Sequence, residues 1–97
     1  MVGAHEIKVY DVVKAAQRWL PTRQIAQRAG VSLRATHNHL TNFVRLEVFE
    51  QARLADGFHY RHKETVVSPE GRKHVAEIEA AREVLASDYV VDLRHGH

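Results

Sequence analysis

The sequence predicts a mainly α-helical fold that carries one small β-hairpin. Apolar residues recur at three- and four-residue spacings in the first half of the chain, which is typical of helices that bury one face. An Asp-Gly pair lies between two runs of β-favouring residues and indicates a hairpin. A Ser-Pro-Glu sequence then indicates a further helix, because serine caps a helix and proline suits its first position. We therefore expect three helices, a hairpin and a C-terminal helix, in that order.

The length of the chain limits it to one domain. At 97 residues it is long enough to bury one core and too short for two. We expect a single domain over 1–97, with its core at about 6–67, a C-terminal helix at about 69–86 and a tail at 87–97. The absence of cysteine excludes disulfides, a thiolate nucleophile and Cys-ligated metal sites. No apolar run approaches the roughly 20 residues of a membrane span and no signal peptide is evident, so we expect a soluble, cytoplasmic protein.

Local start and stop signals bound the first two helices. The first is expected over Glu6–Trp19, and Pro21 closes the segment because proline cannot continue a helix. Thr22 is expected to cap the second helix. That helix ends at Gly30, since glycine takes the left-handed conformation without a Cβ penalty.

A third helix follows after a very short turn. Ser32 is a good N-cap, and the helix is expected to run from Leu33 to about Leu46. Its spacing places one apolar face toward the core, made of Leu33, Thr36, Leu40, Phe43 and Val44.

The rest of the chain contains the hairpin and the last helix. The hairpin turn is expected at Ala55–Gly57, with Phe58 and Tyr60 anchoring the second strand onto the core. Ser68 caps the C-terminal helix. The tail Ser87–His97 could add a strand, pack onto a partner or fray, and fraying is the interpretation we prefer.

Charge is distributed unevenly along the sequence. No acidic residue lies between Asp11 and Glu47, whereas six basic residues do: Lys14, Arg18, Arg23, Arg28, Arg34 and Arg45. From Glu64 onward seven acidic residues stand against four basic ones. This asymmetry predicts that the first half of the chain meets a polyanion and the second half does not.

The segment TRQIAQRAGVSLRATHNHLTNF, residues 22–43, resembles the helix-turn-helix of winged-helix DNA-binding proteins. Ile25 and Ala26 match the paired buried positions of the second helix, Gly30 matches the turn, and Val31 matches the residue that packs between the helices. One departure is Thr36, where an aliphatic residue is usual.

Two further stretches are similar to transcriptional regulators of the MarR, ArsR and PadR types. They are the pair His39 and Leu40, and the stretch Ser68–Arg72 after the hairpin. The resemblance covers about residues 6–86 and implies a winged helix-turn-helix with a C-terminal helix. In that fold the third helix reads the major groove and the hairpin is the wing.

The resemblance implies a DNA-contacting role for the solvent face of the third helix. Arginine pairs with guanine and asparagine with adenine in the major groove, so the expected base contacts are Arg34, His37 and Asn38. The expected phosphate contacts, at the helix starts and along the flank, are Thr22, Arg23, Ser32, Thr41, Asn42 and Arg45.

The hairpin is expected to supply a second contact to the DNA backbone. The candidate side chains are Arg53, His59, Arg61 and Lys63, with His62 beside them and Arg61 preferred. The alternative is that Glu47, Glu50 and Asp56 pair with these bases and cancel their charge.

A homodimer is expected through the C-terminal helix. Its apolar stripe consists of Val75, Ile78, Ala81 and Leu85, and something must cover it. The competing cover is the first helix of the same chain. A dimer would read two half-sites about one helical turn apart.

Metal binding and catalysis are not expected. Although the chain has eight histidines, their spacing does not complete a set of three or four ligands. No phosphate-binding glycine loop and no nucleophile elbow are present, so we expect no enzyme activity and no cofactor.

The sequence therefore predicts a protein that binds double-stranded DNA with sequence specificity and acts as a homodimeric transcriptional repressor. Two alternatives stay open. One is a plasmid or phage accessory factor for partition or replication, and the other is a protein-interaction module that uses its acidic C-terminal helix. Steep weakening by salt distinguishes DNA binding from an apolar protein contact.

Overall fold

The computed structural model describes residues 2–95, with side chains described for residues 2–84. The described part holds four helices and three short strands. In chain order they are α1 (Ala4–Ala16), β1 (Leu20–Pro21), α2 (Thr22–Ala29), α3 (Leu33–Arg45), β2 (Phe49–Leu54), β3 (Gly57–His62) and α4 (Pro69–His95). The predicted mainly α fold with a hairpin and a C-terminal helix is confirmed.

The first helix ends earlier than its periodicity predicts. Gln17 follows α1 in the left-handed conformation with φ 52°, which turns the chain out of the helix before Trp19. Leu20 and Pro21 then form β1, a strand that the sequence analysis missed because it is only two residues long. Pairing with Tyr60 and His59 holds this strand in place.

The second helix confirms its predicted end and corrects its start. The N–H of Gly30 (φ 67°) reaches the carbonyls of Ala26 and Gln27, which closes α2 as expected. At the other end Pro21 occupies the cap position, and no side chain caps the helix. Thr22 is the first helical residue rather than the cap, because Pro21 is held extended in β1.

The third helix begins and ends on local hydrogen bonds. The Ser32 hydroxyl accepts a bond of 3.2 Å from the Ala35 N–H, as expected of an N-cap. At the far end Glu47 takes φ 60°, and the Val48 N–H bonds to the carbonyl of Phe43 at 2.9 Å. This reversal leads the chain directly into β2.

The three strands form one antiparallel sheet in the order β1-β3-β2. Strands β2 and β3 pair along their whole length, from Phe49 opposite His62 to Leu54 opposite Gly57. The turn between them consists of Ala55 and Asp56, and Gly57 follows at φ 118°. A side-chain Cβ would strain the backbone at that angle, so glycine is required there.

An aromatic cluster fills the space between α1, α3 and the sheet. The ring centroid of Phe43 lies 4.6 Å from that of Phe49 and 5.7 Å from that of Tyr10. All three rings are buried. The Tyr10 hydroxyl lies 3.3 Å from Nε2 of His62 on β3, so this cluster joins the first helix to the hairpin.

The last helix docks on the first through one face. Ile78 is fully buried, and two polar contacts flank it on the same side of α4: a hydrogen bond between His74 and Glu6 and an ion pair between Arg82 and Asp11. The helix then continues to His95, beyond the end at Ala86 that the sequence predicts, so a frayed tail from Ser87 was the wrong interpretation. Within the described residues no helix is long and apolar enough to cross a membrane.

Candidate nucleic-acid interface

The helix-turn-helix is held together by buried apolar residues where α2 and α3 meet. Ile25 and Ala26 are buried on α2, and Val31 is 7% exposed in the angle between the helices. On α3, Leu40 and Phe43 are fully buried. This packing holds α3 against the body and leaves its opposite side in solvent.

Apart from Leu33 at its first position, the exposed side of α3 is polar or basic and carries no acid. Arg34, His37 and Asn38 are exposed, as the sequence predicts for base contacts. Thr41 and Arg45 continue the same surface one to two turns further along the helix. We call this set of five residues the α3 face, and its arginine, histidine and asparagine side chains can donate hydrogen bonds to base edges and phosphates.

Hydrogen bonds within α3 decide which of these groups are free to donate. The Thr41 hydroxyl donates to the carbonyl of His37 at 2.9 Å, so its proton is already used. The Arg45 guanidinium donates to Oδ1 of Asn42 at 2.6 Å, which fixes the direction of the charged group. The Ser32 hydroxyl accepts from the backbone and keeps its own proton for a phosphate.

The start of α2 offers a second group of polar side chains. Thr22 is half-buried and Arg23 is exposed at the first two helical positions. Among the described residues no side chain caps this end of α2. The backbone N–H groups of its first turn, which have no partner within the helix, therefore receive no bond from a capping side chain.

The wing does not present the free basic surface that was preferred from the sequence. Nε and Nη2 of Arg61 both donate to Oε2 of Glu50, at 3.0 and 2.9 Å. Nζ of Lys63 lies 3.8 Å from Glu47, and Nε2 of His59 lies 3.5 Å from Asp56. The structure therefore agrees with the alternative interpretation, in which carboxylates pair with these basic side chains.

Trp19, which was not predicted to take part in the wing, lies beside it. The Arg61 guanidinium stands 4.4 Å from the centroid of the Trp19 ring and therefore makes a cation–π contact as well as its ion pair. The short strand β1 brings the tryptophan there, since Leu20 pairs with Tyr60.

The tip of the wing is exposed and carries an aromatic side chain. Tyr60 is fully buried as expected, but Phe58 is 43% exposed, so the prediction that both aromatics anchor the hairpin was wrong for Phe58. The hairpin extends past the core at this point. Arg53, which is exposed, places its guanidinium 5.7 Å from the Phe58 ring.

Leu33 borders the α3 face, and sequence reasoning missed that it is exposed. It was assigned to the buried side, yet it is 50% exposed at the first position of α3. On a helix it lies 40° from the exposed His37 but only 20° from the fully buried Leu40, so the spacing gave no signal of its exposure, which comes from its place at the start of the helix.

The predicted dimer stripe is largely covered within the single chain. Ile78 is fully buried, and Val75 and Ala81 are partly buried against the core. The chain's own core supplies this cover: Glu6 and Asp11 of α1 contact α4 on either side of Ile78, and Phe43 of α3 lies against His74. The Leu85 side chain lies outside the described residues.

Two half-buried histidines, His62 and His74, have partners within the chain. His74 lies between Glu6 and Glu77, with Nδ1 3.7 Å from the Glu77 carboxylate. His62 packs on Tyr10 and Phe49. No group of three or more potential metal ligands occurs among the described residues.

These elements define a winged helix-turn-helix domain. Its α2, turn and α3 form the helix-turn-helix, and β2 and β3 form the wing of a three-stranded sheet. Neither a protein-family model nor a curated protein matches the sequence.

Solved structures share this fold at low sequence identity. A mutant of ZitR from Lactococcus lactis aligns with a TM-score of 0.52 at 13% identity, covering 91% of this chain and 60% of that chain. The adhesin competence repressor AdcR from Streptococcus pyogenes gives 0.55 at 12% identity, covering 97% and 67%. The PcaV transcriptional regulator from Streptomyces coelicolor, in complex with its natural ligand, gives 0.53 at 10%, covering 98% and 75%. The chain thus spans about 60% of the length of ZitR.

Proposed function

We propose that this protein binds double-stranded DNA with a sequence preference and inserts α3 into the major groove. The observation that carries the proposal is the α3 face, where Arg34, His37 and Asn38 are exposed and no acid is present. A major groove about 12 Å wide admits a helix, and these side chains match guanine and adenine edges. AdcR and PcaV, which share the fold, are described as a repressor and a transcriptional regulator.

Backbone contacts are proposed for the groups that flank α3. Ser32 and Arg45 lie at its two ends, and Thr22 and Arg23 begin α2. Asn42 acts through Arg45, whose guanidinium it orients. On the wing, Arg53 is the proposed contact, because Arg61, Lys63 and His59 are paired with carboxylates. The Arg61 and Lys63 pairs are both partly exposed and contribute little energy, so these two side chains are secondary contacts in the proposal, made when a phosphate displaces the carboxylate.

The proposed biological role is that of a homodimeric transcriptional repressor in the cytoplasm, which acts by occupying a promoter. A dimer doubles the number of bases read, and α4 is the element proposed to join the two copies. At 27 residues α4 is about 40 Å long, well beyond the part that α1 covers. No catalytic step is part of this proposal.

Base contacts are tested by replacing Arg34 or Asn38 with alanine. Each variant should lose about 1–3 kcal/mol of binding free energy on a preferred duplex and little on random duplexes, because only base contacts distinguish the two. Fluorescence titration against both duplexes measures this difference. Lys73→Ala, which removes a positive charge from the start of α4, is the control and should leave the preference intact.

Two outcomes contradict the proposal. One is full discrimination by both the Arg34 and the Asn38 variants, which places base recognition elsewhere. The other is an affinity for DNA that hardly changes between 50 and 200 mM salt, since phosphate neutralisation must release counterions.

A further inference from the structure

We propose that Leu33 contacts the 5-methyl group of a thymine and so sets the preference of this protein at one base pair of its site. The inference rests on the proposed function, because it assumes that α3 lies in the major groove. Leu33 has an apolar side chain that makes no hydrogen bond, and it is not among the polar residues predicted to contact bases.

The position of Leu33 is what distinguishes it from other exposed apolar residues. Single apolar side chains are common on protein surfaces and need no explanation by themselves. Leu33, however, is 50% exposed in the first turn of α3, directly after the Ser32 cap. Residues in the first turn of a recognition helix are those that reach base edges.

The neighbours of Leu33 place it at the border of the α3 face. Arg34 follows it in sequence and His37 lies one turn later, and both are exposed. At 100° per residue Leu33 lies 40° from His37 on one side and 20° from the buried Leu40 on the other. A base contact by Arg34 or His37 therefore brings the leucine against the adjacent base step.

The chemistry of leucine then selects the base. In the major groove only thymine presents a methyl group, whereas cytosine and adenine present amino donors and guanine presents acceptors. An isobutyl side chain offers those polar groups no partner and removes them from water, which is unfavourable. Contact with a methyl group is favourable, and burial of one carbon unit corresponds to about fourfold in affinity.

The test removes the methyl group without changing base pairing. Duplexes that the full chain prefers are first selected from a random-sequence pool. Each thymine of the preferred site is then replaced in turn by deoxyuridine, which lacks only the 5-methyl group. At one thymine in each half-site we expect about fourfold weaker binding by the wild-type protein. Leu33→Ala should bind the thymine and deoxyuridine duplexes equally.

A matched control and a gain-of-binding measurement complete the design. Leu54→Ala removes the same side chain at 47% exposure from the wing tip, and it should keep the methyl dependence. With cytosine at the sensitive position, 5-methylation should recover about fourfold in the wild-type protein and nothing in Leu33→Ala. Circular dichroism melting confirms that the variants fold, since both side chains are exposed.

The outcomes separate this inference from the proposed function. A preferred site at which no thymine is sensitive to loss of its methyl group overturns the role of Leu33 alone. The same holds if Leu33→Ala keeps the wild-type profile of sensitivity. A pool that yields no preferred sequence overturns the proposed function, and the inference with it.

Discussion

Thr36 is buried where a nonpolar side chain would be expected. It is fully buried on the inner side of α3, and its hydroxyl has no hydrogen-bond partner among the described residues. A buried hydroxyl that has lost its water without gaining a partner costs about 1–3 kcal/mol. Threonine at this position, where the winged-helix pattern usually has an aliphatic residue, therefore lowers the stability of the fold.

Replacing Thr36 with valine should stabilise the protein. Valine keeps the branched shape and removes the unpartnered hydroxyl, so we expect the free energy of unfolding to rise by about 1 kcal/mol. Urea denaturation followed by circular dichroism measures the change. Thr41→Val, on the exposed side of the same helix, is the control and should change stability by less than about 0.5 kcal/mol. A loss of stability in Thr36→Val would mean that the hydroxyl does have a partner.

Ionisation of Tyr10 is expected to lower the stability of the folded protein at alkaline pH. Burial raises the pKa of its phenol above the ordinary value of 10.0, and the carboxylates of Glu79 and Asp11 add to the rise while Arg82 opposes it. The folded state therefore holds the phenol proton more tightly than the unfolded state. The resulting stability is fully present below pH 10.0 and is lost as the pH rises through the raised pKa.

Comparison with Tyr10→Phe isolates this effect. The wild-type free energy of unfolding should fall above pH 10, and the variant should show a smaller fall, because phenylalanine has no proton to lose. Denaturation at a series of pH values gives both curves. Parallel curves would show that other groups cause the alkaline loss. The variant also lacks the Tyr10 contact with His62, which lowers its curve at all pH values without changing its slope.

At the scale of elements, Gly71 controls how α4 meets α3. It lies in the first turn of α4, where its N–H donates to the Ser68 hydroxyl at 3.3 Å. A Cβ at this position would lie 2.5 Å from the carbonyl oxygen of Leu46 and 3.0 Å from a methyl carbon of Val66. The backbones of the two helices can approach this closely only because residue 71 has no side chain.

Gly71→Ala should therefore destabilise the protein although alanine is the better helix former. The gain of about 1 kcal/mol in helix propensity is smaller than the cost of moving a backbone carbonyl, so we expect a net loss of about 1–3 kcal/mol. Thermal and urea denaturation measure it. Gly3→Ala is the control, since no atom lies within 4 Å of the Cβ it would add. Equal or greater stability of Gly71→Ala would show that the two helices shift apart at little cost.

At the scale of the whole molecule, the two parts of α4 differ in their exposure to solvent. The first half of α4 is used within the chain, where Ile78 is buried between the His74–Glu6 and Arg82–Asp11 contacts to α1. Further along, Val84 is 59% exposed. The continuation of α4 to His95 adds helix length beyond that residue. The proposed dimer therefore belongs to the later part of α4 rather than to the stripe centred on Ile78.

The dimer is predicted to dissociate when charge is placed in this later part. Light scattering at micromolar concentration should give a mass of two chains for the wild-type protein and one chain for Val84→Asp combined with Leu85→Asp. Ala76→Asp, an exposed position in the first half of α4, is the control and should remain dimeric. Ile78→Asp is unsuitable, because a buried unpaired charge would unfold the domain. A wild-type mass of one chain would contradict the dimer.

Much of the architecture could be predicted because it depends on interactions between near neighbours in the chain. Gly30 ends α2 through its own left-handed backbone, and Ser32 and Ser68 begin helices through bonds to residues three positions away. The Asp-Gly signal lies at the hairpin turn for the same reason. Conformational preferences and hydrogen bonds of this range are readable without knowing what packs against them.

The tertiary structure alone decided which surfaces are free. Periodicity assigned Leu33 and Phe58 to the core, but both lie where an element extends past its neighbours, and they are exposed. It also left Ile78 for a partner, whereas α1 covers it. The basic side chain of Arg61 on the wing forms an ion pair with Glu50 because the strand register places these two residues opposite each other. Exposure and charge pairing depend on which distant segments come together, and that information lies in the packing rather than in any local stretch of sequence.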